Sequence, residues 1–150
     1  MKKYFVILWP LFAVIAFASC KTISGFDQYA YQQATSLKVD AMNLMDKATS
    51  PYNRQLQEIN EVAVRMEKLQ EYEKHRPKND ITTKMWSIIN NPDGHLFGGF
   101  LKRWKAKDSL NTDFIEEVKA QVGEAFDVVI ELESKKIKPS DGRVSQLLNQ

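Results

Sequence analysis

Few residues in this chain have the chemistry for catalysis. His75 stands four residues after Glu71, a spacing that puts both on one face of a helix. His95 follows the run Asn91-Pro92-Asp93-Gly94. Imidazoles beside carboxylates are the raw material of general acid–base work or of a metal site. A metal would need a third ligand, and no Glu-x-x-His or His-Glu-x-x-His pattern supplies one. An enzyme or metal protein using His75 and His95 would therefore need the two histidines to meet an acid in one pocket. The competing expectation is a solvated helix end for His75, where a cation is favoured, and a loop position for His95. Asn91 to Gly94 matches only a fragment of a calcium loop, without the alternating acids or the closing glutamate. No Gly-x-Ser-x-Gly elbow, phosphate loop or dinucleotide fingerprint occurs. The expectation is a non-enzymatic protein with no metal, no cofactor and no small-molecule substrate.

The one cysteine, Cys20, excludes a disulfide framework and a cysteine-built zinc site. Its position is more informative. Met1-Lys2-Lys3 gives way to an apolar run from Tyr4 to Ala18, interrupted only by Pro10. That is the charged and apolar order of a secretory signal. At about 15 residues the run is short of the roughly 17–25 of a spanning helix, and Pro10 would break one. The run closes on Phe17-Ala18-Ser19-Cys20. In these residues the N-terminus resembles the lipobox of bacterial lipoproteins, an aliphatic and two small residues before a cysteine. Phe17 stands where leucine is usual. The resemblance spans the first twenty residues. It implies cleavage before Cys20, a diacylglyceryl group on its thiol and acylation of the new amino terminus, a covalent lipid rather than a cofactor. A thiolate is the nucleophile suited to the thioether bond, and two or more acyl chains hold a protein stably on a bilayer. Lys21 replaces the aspartate that in Gram-negative lipoproteins signals inner-membrane retention, so the resemblance implies the outer membrane. No acidic pair follows within residues 22–25, which leaves the domain facing the periplasm.

Composition fits one globular domain of 150 residues, 43% hydrophobic and 27% charged. The net charge of +2 comes from Lys2 and Lys3, so residues 20–150 are balanced at 19 basic and 19 acidic side chains. Neutrality and export together argue against nucleic acid as a partner. The charges are segregated, however. Residues 74–107 hold eight basic groups against Asp80 and Asp93, and residues 108–133 hold eight acids against Lys119. The two segments either face each other within the fold or present a two-poled surface to a charged partner.

Around these residues the periodicity is helical throughout, and no strand pattern is convincing. Ala30, Ala34, Leu37, Ala41, Leu44 and Ala48 alternate by four and three, predicting a helix from Phe26 to Ala48 with a small-residue face. Ser50 is expected to cap, and Pro51 to open, a second helix to His75, striped by Tyr52, Leu56, Ile59, Ala63 and Met66. The short connection makes the two an antiparallel hairpin. Asp80 or Thr82 is expected to cap a short helix to Asn90 that includes Trp86 as a core residue. Gly98-Gly99 reads as a break before another short helix from Phe100 to Lys107. Asn111 is the expected cap of a long last helix, striped by Ile115, Val118, Val122, Ala125, Val129 and Leu132. The carboxylates of the second and last helices read as solvated faces.

The most unusual stretch is Leu96 to Lys107. Phe100 and Trp104 fall on one side of a helix, and Lys102, Arg103, Lys105 and Lys107 fill most of the rest. In one expectation the aromatics plug the open end of the hairpin. In the other the six residues form a basic amphipathic wedge that meets anionic headgroups, cell-wall polymer or an envelope protein. The predicted organisation is a signal peptide over 1–19, a lipidated tether over 20–25, an all-α bundle over 26–136 and a loose tail over 137–150. The predicted function is a bilayer-anchored envelope lipoprotein with a binding or structural domain. The alternative is an accessory subunit of an envelope complex, docking through segment 97–107.

Overall fold

The computed structural model describes residues 24–150, all helix and connection. The predicted signal peptide and Cys20 lie outside the described residues. The helices are α1 (Gln28–Asp46), α2 (Leu56–Lys74), α3 (Asp80–Ile89), α4 (Phe97–Lys107), α5 (Thr112–Glu133) and α6 (Gly142–Leu148).

α1, α2, α3 and α5 form a ring in which each packs on two neighbours. Side-chain pairs fix the directions. Asp27 meets Tyr72, Asp40 meets Arg65, and Lys47 meets Glu58, so α1 and α2 are antiparallel. Asp27 meets Glu133, Lys38 meets Asp127, and Asp46 meets Lys119, so α1 and α5 are antiparallel too. Gln70 on α2 bonds Ser87 on α3, while Asn79 reaches back to Glu73, which reverses the direction again. The result is an up-down-up-down four-helix bundle with α4 inserted in the third connection.

The core is the predicted alanine stripe of α1 facing Ile115, Val118, Val122, Ala125, Val129 and Leu132 of α5, all buried. Trp86 is buried edge-on against Phe126, as expected of a core residue, and its Nε1 meets no protein acceptor. Asn111 caps α5 by accepting from the Phe114 amide at 2.8 Å. At the start of α1 the cap is Asp27, which accepts from the Ala30 amide at 2.9 Å. That capping bond lets α1 begin two residues later than Phe26, which is left exposed.

The hairpin connection differs from expectation in two ways. Residues 52–55 form a 3-10 turn before α2 begins, and Ser50 does not cap that helix. Its hydroxyl donates to the Lys47 carbonyl instead. The tighter turn changes the helical phase, so Leu56 faces solvent and the α2 core face is Ile59, Val62, Met66, Leu69 and Glu73. Asp80 and Thr82 do not cap α3 either. Asn79 precedes that helix, and its side chain is committed to Glu73.

Gly98 and Gly99 do not break the chain. Both lie inside the first turn of α4. A Cβ at Gly98 would overlap the Asn90 carbonyl, and one at Gly99 the Gly94 carbonyl. The glycines are needed because the turn at 90–94 lies directly against the helix. The tail is not loose. Asp141 caps α6 through the Arg143 amide, and Val144 and Leu147 bury themselves against the bundle, where α6 contacts α3 and α5. Two apolar residues three apart are enough to dock one short helix, and Arg143 fastens it to Glu131 at 2.9 Å.

Candidate functional site

The basic-aromatic segment splits into two parts. Phe100 and Trp104 are in the core, 1% and 0% exposed. Trp104 stands edge-on to Tyr52 and donates Nε1–H to the Ser50 carbonyl at 3.0 Å and the Asp108 carbonyl at 3.2 Å. An indole held by two carbonyls beneath a helix is not a surface wedge, so the aromatic half of the predicted docking site is withdrawn. The plug sits at the turn end of the hairpin rather than its open end, because α4 follows the top of α3 and must cover what that short helix leaves open. The cations stay outside. Lys102 pairs with Asp93 at 2.6 Å, and Arg103 lies 4.2 Å over the Phe114 ring. Lys105 and Lys107 are exposed.

Nor do the two charged segments face each other as a pair of plates. Arg76 to Glu133 is the ion pair that joins them among the described residues. The other α5 acids in ion pairs, Asp127 and Glu131, turn to Lys38 on α1 and Arg143 on α6. The histidines do not build a site. His75 is exposed and bonds Glu71 at 2.8 Å, which holds that carboxyl below the usual range. His95 is exposed in the loop before α4. Among the described residues no group of three His, Cys, Asp or Glu side chains is placed to hold a metal.

The polar feature with depth lies elsewhere, where α1 starts, α2 ends, α3 starts and α5 ends. Arg76, its side chain 8% exposed, bonds both oxygens of Glu133 at 2.9 Å and Glu73 at 2.7 Å. Both carboxylates are buried. Burial pushes the Glu73 carboxyl up against the pull of Arg76 and Asn79, with Glu133 nearby adding to the rise. Arg76 itself is held firmly charged: two carboxylates outweigh its desolvation.

This cluster grips the chain that leads in from the N-terminus. Arg76 donates to the Gly25 carbonyl at 2.8 Å, and Lys135 to the Ser24 carbonyl at 2.5 Å. Ser24 donates to the Asn79 side chain at 3.1 Å, and the Asp27 amide to Glu133 at 2.9 Å. Burial raises the Asp27 carboxyl, but the Ala30 amide, the Tyr72 hydroxyl and Arg76 together hold it below its ordinary value. Phe26, Tyr72, Lys68 and His75 line an open trough beside the grip.

Comparison with protein-family models, curated proteins and solved structures finds no match.

The site therefore rests on its own geometry. The expectation of solvated faces fails for Glu73 and Glu133, which are buried, and the sequence carries a signal for it. Met66, Leu69 and Glu73 continue the three-four alternation of α2, and Val129, Leu132 and Glu133 lie together at the end of the α5 core face. An acid in core register calls for a buried cation, and Arg76 sits one turn away. What the arrangement does physically is fasten the entering chain to four helix ends at once. It contains no nucleophile–base pair.

Proposed function

We propose that this protein is a lipid-anchored component of a bacterial envelope, whose helical bundle binds or supports a partner and catalyses no reaction. The observation that carries the reading is Ala18-Ser19-Cys20 at the close of the apolar run. Among the described residues no helix is long and apolar enough to cross a membrane. In this reading acyl chains on Cys20 attach the protein to the bilayer. Lys21 favours the outer membrane, with the bundle on the periplasmic side. The grip on Ser24 and Gly25 supports the same reading, because it makes the bundle a rigid load on a very short lead. The non-enzymatic reading is favoured by two solvent-facing histidines on separate elements, of which His75 bonds only the exposed Glu71 of its own helix.

Intact mass spectrometry of the protein taken from membranes tests this. The expected species begins at Cys20 and carries a diacylglyceryl group and an amide-linked acyl chain. A chain that retains residues 1–19, or one cut elsewhere and unmodified, would end the proposal.

A second reading is favoured by the exposed row Lys102, Arg103, Lys105 and Lys107, which would dock the bundle on an acidic envelope protein or cell-wall polymer. Its aromatic members are excluded by burial. Crosslinking in intact cells from position 105 is expected to capture a partner that reversal of the charges at 102, 103 and 107 abolishes. Capture that survives the reversal would reject the row as the docking surface.

A further inference from the structure

We propose that the gripped end of the bundle is a second membrane contact, a surface for anionic phospholipid headgroups that acts with the acyl anchor. The inference rests on the lipoprotein reading of Cys20 and adds an orientation to it.

Reach comes first. Only Lys21, Thr22 and Ile23 separate Cys20 from Ser24. A chain of that length spans at most about 14 Å however it runs. Ser24 and Gly25 are in turn bonded to Lys135, Asn79 and Arg76, so no further slack is available without breaking the grip. The helix ends at this pole therefore sit within about a headgroup layer and a Debye length of the bilayer that holds Cys20.

Chemistry comes second. Lys74, Lys78, Lys135, Lys136 and Lys138 are exposed on the segments that meet here, against exposed Glu71 and Asp80. Glu73 and Glu133 are buried beneath them around Arg76, and Asp27 is half-buried at the edge of the cluster. Among the described residues six large apolar side chains are exposed, and three of them, Phe26, Tyr29 and Tyr72, are at the same pole, with Tyr29 and Tyr72 packed edge to face at 4.8 Å. Lysines with half-exposed aromatics suit the interface between headgroups and water. The remaining three, Val39, Leu56 and Val64, are scattered along the helices and form no patch with this group. Each lysine close to an anionic surface strengthens attachment on the order of fivefold.

Full-length lipidated protein in vesicles tests the orientation. Lipidation occupies the Cys20 thiol, so a new cysteine takes a fluorophore specifically. Ser140→Cys reports the gripped pole and Ser109→Cys the opposite one, and a quencher is carried on lipid headgroups. In vesicles containing phosphatidylglycerol, quenching of the probe at 140 is expected to exceed that at 109 several-fold. The contrast should shrink in phosphatidylcholine vesicles, in high salt, and when Lys78, Lys136 and Lys138 are changed together to Gln or to Glu. Equal quenching at both poles, or a contrast indifferent to lipid charge and to these lysines, overturns the inference and leaves the anchor standing. Failure to float with vesicles, or fluorophore uptake by the chain without an added cysteine, overturns the anchor and the inference with it.

Discussion

Replacing Arg76 by Met should be among the most damaging single changes outside the apolar core. The guanidinium bonds Glu133 twice, Glu73 once and the Gly25 carbonyl once. Methionine fills most of the volume but leaves two buried carboxylates facing each other. Removing one partner from a buried ion pair costs about 3–5 kcal/mol, because the remaining charge is uncompensated. For a domain of this size that lowers the melting temperature by on the order of 10–15 °C. Urea unfolding of the chain beginning at Lys21, at neutral pH, measures the loss directly. The pH dependence gives the mechanism. Glu73 already has a raised folded-state pKa, so its ionisation works against folding as pH rises through that value. Without Arg76 the rise is larger. The variant should therefore recover part of its lost stability on mild acidification. Asp27 acts in the opposite sense: its lowered pKa contributes stability above the unfolded value, lost as pH falls through the folded one. Changing Arg76, Glu73 and Glu133 together to Met, Gln and Gln should restore much of the stability. A loss below about 1 kcal/mol for Arg76→Met, the size of an exposed pair, would refute the buried grip.

Three further outcomes follow from the packing. Trp104→Phe should cost more than Trp86→Phe, since the first abandons two carbonyls and the second no protein acceptor; Trp104→Ala should cost about 3–5 kcal/mol by urea melt. Gly123→Ala should stabilise by up to about 1 kcal/mol, because its Cβ would meet only the Met42 Sδ at 3.6 Å, whereas Gly98→Ala should destabilise by more than that through collision with the Asn90 backbone. Leu147→Ala should cost about 2–5 kcal/mol and deprotect α6 in hydrogen exchange, an effect absent if the tail were loose.

The long elements were readable because their signals are local. Alternation by three and four over twenty residues, with Asn111 in front, specifies α5 without reference to any other segment. The features that escaped depend on what arrives from far along the chain. Gly98-Gly99 has the composition of a break, and only the return of residues 90–94 against the helix makes it a contact. Phe100 and Trp104 are legible as a plug from their spacing, but only the return of α4 over the hairpin turn decides which end of the hairpin they close. Val144 and Leu147 are too few to announce a docked helix, and the face they cover is formed by α3 and α5. Glu73 and Arg76 are neighbours, but Glu133 lies 57 residues from Arg76, and only bundle closure brings it within bonding distance.

Anchoring through Cys20 is open to a direct test by detergent phase partition with metabolic fatty-acid labelling. Wild-type protein is expected to take up label and to enter the detergent phase. Cys20→Ser should do neither, while its bundle melts as wild type does. A Cys20→Ser chain that is still labelled, or a wild type that stays unlabelled in the aqueous phase, would rule out a lipid anchor at Cys20.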